Sequence, residues 1–402
     1  MTRMRIAALC TATLLASTLH LSAGPATAVG PAHPQHGCAA SPDPGSGQAG
    51  KVLDAVRRAK EELDLNSVLL KVTVDGREVV TGAVGESMTG VPATADMHFR
   101  VGSVAFSYMG VVLLQLVEEG KVSLDDPVSR WLPDLPHAEE ITLRMLGSTT
   151  SGLHDYVPDP VFQNAYLADP FREWTEAELV GVSTAHDLWY APGTNWSYSH
   201  ANFMLLGEAL AKITGEPLDG LLRRRVMDRL DLRQTRNGFT PDLPTPVLHG
   251  FTAARGRYEE VTFWNPSWTA ARGAVLSSDI CDLARSAQAI GAGELLSPSS
   301  YRTQLNPGTV GLGHATKICP ADICRTNTEA EHFGLGVFVR NGWVLQNPFL
   351  PGYAAVQAYL PDCRLAIAVA TTQGPATTDG QPAQTIAARI SELLAPDHPL
   401  AP

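Results

Sequence analysis

In the stretch "HFRVGSVAFSYMGVVLLQLVEEGKVSLDDPVSRWLPD", residues 98–134, Ser103 opens a long apolar run of helical character. A hydroxyl at the first turn of a buried helix is well placed to act as a nucleophile, because the helix N-terminus favours negative charge developing there. It attacks only if a neighbouring group removes its proton. Residues i and i+3 share a helix face, and the residue one turn on from Ser103 is Phe106. A phenyl ring accepts no proton, and the next lysine along this segment is Lys121. Ser103 is therefore either a nucleophile whose base comes from elsewhere in the chain or a plain helix N-cap. A second chemically suggestive pattern, His33, His36 and Cys38 in "HPQHGC", has metal-ligand residue types. It sits in a Pro/Gly/Ser-rich stretch that reads as disordered. No metal and no cofactor is expected.

The elements that must position Ser103 belong to a chain of 402 residues, 44% hydrophobic and 18% charged, an ordinary globular composition. Residues 1–28 carry Arg3 and Arg5, then an apolar run, then Ala26-Thr27-Ala28, the pattern of a secretory signal peptide cleaved after Ala28. Residues 29–50 read as a linker. Losing two arginines with the leader takes the formal charge from −11 to −13, a field that disfavours nucleic acid and anionic membrane surfaces. No later stretch reaches the ~18 apolar residues of a membrane span. The expectation is a secreted, extracellular protein. Of the five remaining cysteines, Cys319 and Cys324 in "CPADIC" could close a small surface loop, while the pairing of Cys38, Cys281 and Cys363 stays open. Asn195-Trp196-Ser197 matches a glycosylation sequon, a signal of only three letters.

Helical spacing in "KVLDAVRRAKEELDL" is followed by "SVLLKVTVDGREVVTGAVG", a hairpin with Asp75-Gly76 as its two-residue turn. Residues 104–117 are apolar almost all round, the mark of a buried helix. Strand character returns over 333–372, and a closing helix, "AQTIAARISELLA", places Ile386, Ile390, Leu393 and Leu394 on one face. Strands at both ends with helices between predict an α+β fold: an antiparallel sheet built from both termini, flanked by helices, with a central helical subdomain.

Seven phrases in order then resemble the penicillin-recognising serine hydrolases, closest to the branch of class C β-lactamases, D-alanyl-D-alanine carboxypeptidases and related esterases. They are "FRVGS", "LVEEGKVSLDDPVSRWLPDLP", "ITLRMLGSTTSGLHDY", "APGTNWSYSHANFMLLGEAL", "ARGAVLSSDICDLARSAQAI", "FGLGVFV" and "LPGYAAVQAYLPD". The resemblance implies a β-lactamase/transpeptidase-like domain over residues 51–396. Its α/β part falls at about 51–100 and 251–396, and its helical part at about 101–250.

The family resembled uses three catalytic elements, and each is altered here. Ser-x-x-Lys reads Ser103-Val104-Ala105-Phe106. Tyr-x-Asn reads Tyr198-Ser199-His200, with Asn202 two residues on. The Lys-Thr-Gly or His-x-Gly triad falls on Gln346-Asn347-Pro348. The resemblance thus implies Ser103, Tyr198 and His200 as candidate catalytic residues, and Gln346, Asn347 and Asn202 as candidate substrate-binding residues. Losing a general base typically removes ~10²–10⁴ in rate. Where nucleophile and base act as one unit, the loss approaches ~10⁶. Three changes that each remove a charge- or proton-bearing group point to a catalytically impaired or non-hydrolytic member, keeping a cleft for a peptide, cell-wall fragment or small amide. The alternative is an active serine hydrolase or acyltransferase of esterase, D-Ala-D-Ala carboxypeptidase or β-lactamase type, with Tyr198 or His200 as base to Ser103.

Overall fold

The segments Tyr353–Leu360 and Leu365–Gln373 carry no charged residue, and every residue in them is buried. Strands of that kind need cover on both faces, and the chain supplies it. The structure, a computed structural model, describes residues 38–42, 47–238, 240–378 and 380–401. The expected signal peptide over 1–28, and His33 and His36, lie outside the described residues.

Helix α1 (Gln48–Glu62) leads into strands β1 (Leu65–Val74) and β2 (Arg77–Met88), whose Asp75-Gly76 turn has φ of 51° and 72°, as a two-residue hairpin requires. The short β3 (Val91–Pro92) and β4 (Phe99–Arg100) precede a run of helices. These are α2 (Val104–Glu118), α3 (Leu143–Ser148), α4 (Pro160–Ala168), α5 (Glu176–Thr184), α6 (Ala201–Thr214), α7 (Leu218–Leu222) and α8 (Asp228–Leu230). The short strands β5 (Arg236–Asn237), β6 (Phe251–Thr252), β7 (Glu259–Glu260) and β8 (Leu276–Ser278) return the chain to α9 (Ile280–Gly291) and α10 (Pro298–Leu305). Strands β9 (Glu331–Phe333), β10 (Phe338–Arg340), β11 (Trp343–Gln346), β12 (Phe349–Leu350), β13 (Tyr353–Leu360) and β14 (Leu365–Gln373) follow, and α11 (Pro382–Leu394) closes the chain.

The main sheet is antiparallel in the order β3-β2-β1-β14-β13-β11-β10-β9, with β12 on β13. Because β1 lies beside β14, both ends of the described chain build its centre, the α+β arrangement expected. Side chains alternate across it. Leu365, Ile367 and Val369 join a core with Val52 and Val56 of α1 and Ile386 and Ile390 of α11. On the opposite face Ala366 meets Ala287 of α9. Leu393, in the last turn of α11, is exposed rather than sharing the face of Ile386 and Ile390.

The residues of α2 from Val104 to Leu116 are buried without a break, matching its all-round apolar sequence. The helix is gripped by Gly336, at φ 72°, where any Cβ would collide with the Phe106 carbonyl. Two disulfides form. Cys319–Cys324 closes the small loop anticipated, and Cys38–Cys281 ties the start of the described chain to α9, leaving Cys363 free and exposed. The linker expected over 29–50 is accordingly fastened at Cys38, held again where the Ser41 amide bonds the Thr81 carbonyl, and already helical from Gln48. A disulfide to a core helix, invisible in local composition, is the reason. Among the described residues no helix is long and apolar enough to cross a membrane.

At the start of α9, burial and the charge of Asp279 push the Asp282 carboxyl up to about 6, although the Gln234 and Thr235 amides donate to it. An acid raised in the folded state lends stability that is complete below its unfolded value and disappears as pH rises through about 6. Urea titrations of the wild type against Asp282→Asn should therefore differ by an amount that shifts between about pH 4 and 6, on the order of 2 kcal/mol. A constant difference across that range would refute this account.

Candidate functional site

Ser103 is 9% exposed and follows Gly102, at φ 39°. It occupies the N-cap position of α2, yet its hydroxyl makes no capping bond to the helix. Its hydroxyl is near enough to that of Tyr198 to favour the ionised phenol. The simple N-cap role is thus not the one observed: the serine is turned towards the tyrosine.

Phe106 fills the position one turn on. Its fully buried ring stacks on Phe203 of α6, with centroids 3.9 Å apart and planes within 4°. The His200 ring meets it edge-on at 5.7 Å. A lysine side chain projecting from residue 106 would need this volume, and two packed phenyl rings occupy it.

His200 is held at the start of α6 by Asp155. The carboxylate lies 3.0 Å from Nδ1 through both oxygens and accepts the His200 backbone N–H at 3.1 Å. A carboxylate only accepts, so in the neutral imidazole this arrangement selects the tautomer with the proton on Nδ1 and the lone pair on Nε2. Tyr198 stands edge-on to the imidazole at 5.1 Å and packs near-parallel to Phe338 at 5.9 Å. Burial drives the Tyr198 hydroxyl well above the ordinary tyrosine range, the Asp155 charge adds to this, and the Ser103 hydrogen bond opposes it. The phenol beside Ser103 is therefore neutral and a poor acceptor for its proton.

The three candidate amides are engaged elsewhere. Gln346 is fully buried and donates from Nε2 to the Gly336 carbonyl at 2.6 Å. Asn347, pointing the other way as the next residue along an extended chain must, donates to Gln384 of α11 at 2.6 Å. Asn202 accepts from the Ser151 hydroxyl at 2.6 Å and donates to the Ser199 carbonyl. Pro348 abuts Gly102, its Cβ 3.0 Å from where a side chain there would begin. Tyr198 thus stands between a neighbouring Ser103 and the His200 ring, while the hydrogen bonds of Gln346, Asn347 and Asn202 go to the surrounding frame.

Beside them opens a cleft of about 610 Å³, lined among others by Tyr198, Asp155, His154, Trp189, Phe338 and Arg340. The Cys319–Cys324 loop forms part of its wall through Asp322 and Ile323. Asn195 is buried and latches that region, accepting from the Gly313 and His314 amides and donating to the His314 carbonyl, each at 2.8 Å. An asparagine so used is not displayed for modification.

The profile of the Beta-lactamase family matches residues 52–391. The chain belongs to the β-lactamase family. Curated relatives include a putative penicillin-binding protein, PbpX, of Bacillus subtilis, 26% identical over 65% of this chain and 58% of that protein. Esterase EstB of Burkholderia gladioli is 26% identical over 66% of this chain and 76% of its own length. The D-alanyl-D-alanine-carboxypeptidase/endopeptidase AmpH of Escherichia coli is 31% identical over 42% and 45%. The chain thus spans less than two thirds of PbpX and of AmpH. Among solved structures, a D-stereospecific amidohydrolase from Streptomyces sp. superposes with a TM-score of 0.70 at 26% identity, over 85% of this chain and 98% of its own. These matches establish the β-lactamase/transpeptidase-like fold and the relationship to serine hydrolases of this family.

Because Phe106 supports both Phe203 and His200 from a fully buried site, Phe106→Ala should cost about 3–5 kcal/mol in denaturant unfolding. A loss under 1 kcal/mol would show that the ring stack does not carry the packing assigned to it.

Proposed function

We propose that this β-lactamase-family chain has lost ordinary serine acylation and that its cleft binds a peptide, cell-wall fragment or small amide. The observation that carries this reading is the stacked Phe106–Phe203 pair standing where an amine would have to reach Ser103. Tyr198, a neutral phenol, is a neighbour of the serine, and abstraction of the Ser103 proton by a phenol is uphill by its basicity alone. The relatives' names, a penicillin-binding protein, an esterase and an amidohydrolase, support a cleft suited to amides and esters. The two disulfides support an exported setting, in keeping with the secretory pattern of residues 1–28.

A specific observation favours a second reading, an active serine hydrolase or acyltransferase. Asp155 orients His200 with Nε2 free to accept a proton, in the manner of the carboxylate–imidazole half of a catalytic triad. On that reading Ser103 attacks, and His200 or Tyr198 relays the proton.

Intact-mass spectrometry after incubation with a reactive penicillin and with an activated ester separates the two. The expected outcome is no adduct on wild-type protein with either reagent. A stoichiometric adduct that vanishes in Ser103→Ala would overturn the proposal in favour of the second reading. That reading in turn requires ester turnover to fall ~10²–10⁴-fold in His200→Asn or Tyr198→Phe.

A further inference from the structure

Arg100 carries a buried charge that no side chain pairs with. It lies on β4, three residues before Ser103, and is 6% exposed. One terminal nitrogen, Nη2, donates to the carbonyls of Pro241 and Thr262. Among the described residues Nε and Nη1 make no hydrogen bond, and the side chain makes no ion pair. Asp242 is the carboxylate whose charge supports the guanidinium. It stands beyond ion-pair distance, and its Oδ2 accepts from the Thr240 hydroxyl at 3.1 Å. Burial lowers Arg100 from the ordinary guanidinium value. A buried lysine or carboxyl escapes such a cost by moving a proton. A guanidinium keeps its charge, so burial without a counter-charge is costly.

The same side chain lines a cavity of about 20 Å³, room for one water-sized occupant. Asn265 lines it too and is likewise 6% exposed. Its Oδ1 accepts from the Ser267 amide at 3.0 Å, while its Nδ2 makes no hydrogen bond among the described residues. No carboxylate lines the cavity, and its walls include Trp264, Trp268 and Tyr353. Tyr353 spends its hydroxyl proton on the Leu248 carbonyl at 2.7 Å. Two buried side chains thus bring unused N–H donors and one full positive charge to a space of atomic size. Hydrogen bonds from a charged donor to an anion are the strong kind. A water molecule can accept them, but it brings no charge to set against the arginine. A polyatomic anion exceeds the volume.

We propose that this cavity is a halide site, in which one chloride ion accepts from Arg100 and Asn265 and balances the buried guanidinium. The site shares no lining residue with the cleft beside Tyr198, and it does not depend on whether Ser103 acylates. It does reach towards the serine. Leu350 lines the cavity, and its methyl groups lie 3.6 Å from where a side chain on Gly102 would begin. The ion therefore braces β4 and the turn that leads from it to α2.

Thermal unfolding of the full chain in sodium chloride and in sodium gluconate tests the site, at one pH and one ionic strength so that screening is equal. Gluconate is too large for the cavity. Exchanging it for chloride should raise the midpoint on the order of 2 °C along a saturating curve, and bromide should act likewise. Asn265→Asp places a carboxylate of the same size beside Arg100. It should raise the gluconate midpoint above that of the wild type and abolish the response to chloride. Arg100→Gln should lose the response as well; if that variant does not fold, Asn265→Asp decides. Crystals grown in sodium bromide should show an anomalous peak against the Arg100 guanidinium. Equal wild-type midpoints in chloride and gluconate, a response that persists in Asn265→Asp, or bromide crystals without that peak would each sink the halide site.

Discussion

Two phenyl rings pressed face to face at 3.9 Å, one from α2 and one from α6, decide what this site can do. Helix α2 is buried from Val104 to Leu116, so its first turn is held in place by everything packed around it. Phe106 is therefore held against Phe203 by the packing around it. The change at position 200 belongs to the same packing event. His200 meets the edge of Phe106, and its polar side is satisfied by Asp155. An aromatic edge against an aromatic face is a favourable contact here.

The rest of the cleft is built with care that a collapsed site would not need. Asn195 spends its whole amide on holding residues 313 and 314, and the Cys319–Cys324 disulfide stiffens the loop that follows. Strands β9 and β10 carry the aromatic and cationic wall, and Gly336 lets the turn after β9 press against α2 without a side chain between them. The walls thus lie on ordered strands and a cross-linked loop, an arrangement suited to recognition. Rigidity of this kind is compatible with loss of proton transfer, since binding and acylation draw on different groups.

Much of the frame was legible in the sequence because its signals are local. Asp75-Gly76 dictates a tight hairpin, the uncharged runs over 353–360 and 365–373 demand a doubly covered sheet, and the all-round apolar α2 demands burial. Ser103 and Phe106 were legible as neighbours because helical periodicity puts them on one face. Tyr198 and His200 came from resemblance, and their rings stand edge to face 5.1 Å apart. Gln346, Asn347 and Asn202 show the boundary of such reading. Their positions along the chain were clear, but the Gly336 carbonyl takes the Gln346 amide, the Gln384 side chain takes that of Asn347, and Ser151 and the Ser199 carbonyl take that of Asn202.

By itself, the sequence determined the fold family, the buried nucleophile helix and the absence of an amine one turn after Ser103, since each depends on residues within a few positions of one another. Tertiary structure alone decided that Asp155 clamps a histidine 45 residues away, that Phe203 completes the stack, and that Cys38 reaches Cys281 across 243 residues. The physical reason is distance along the chain. Side-chain proximity across such separations is set by sheet register and loop closure, and no local pattern of polarity records it.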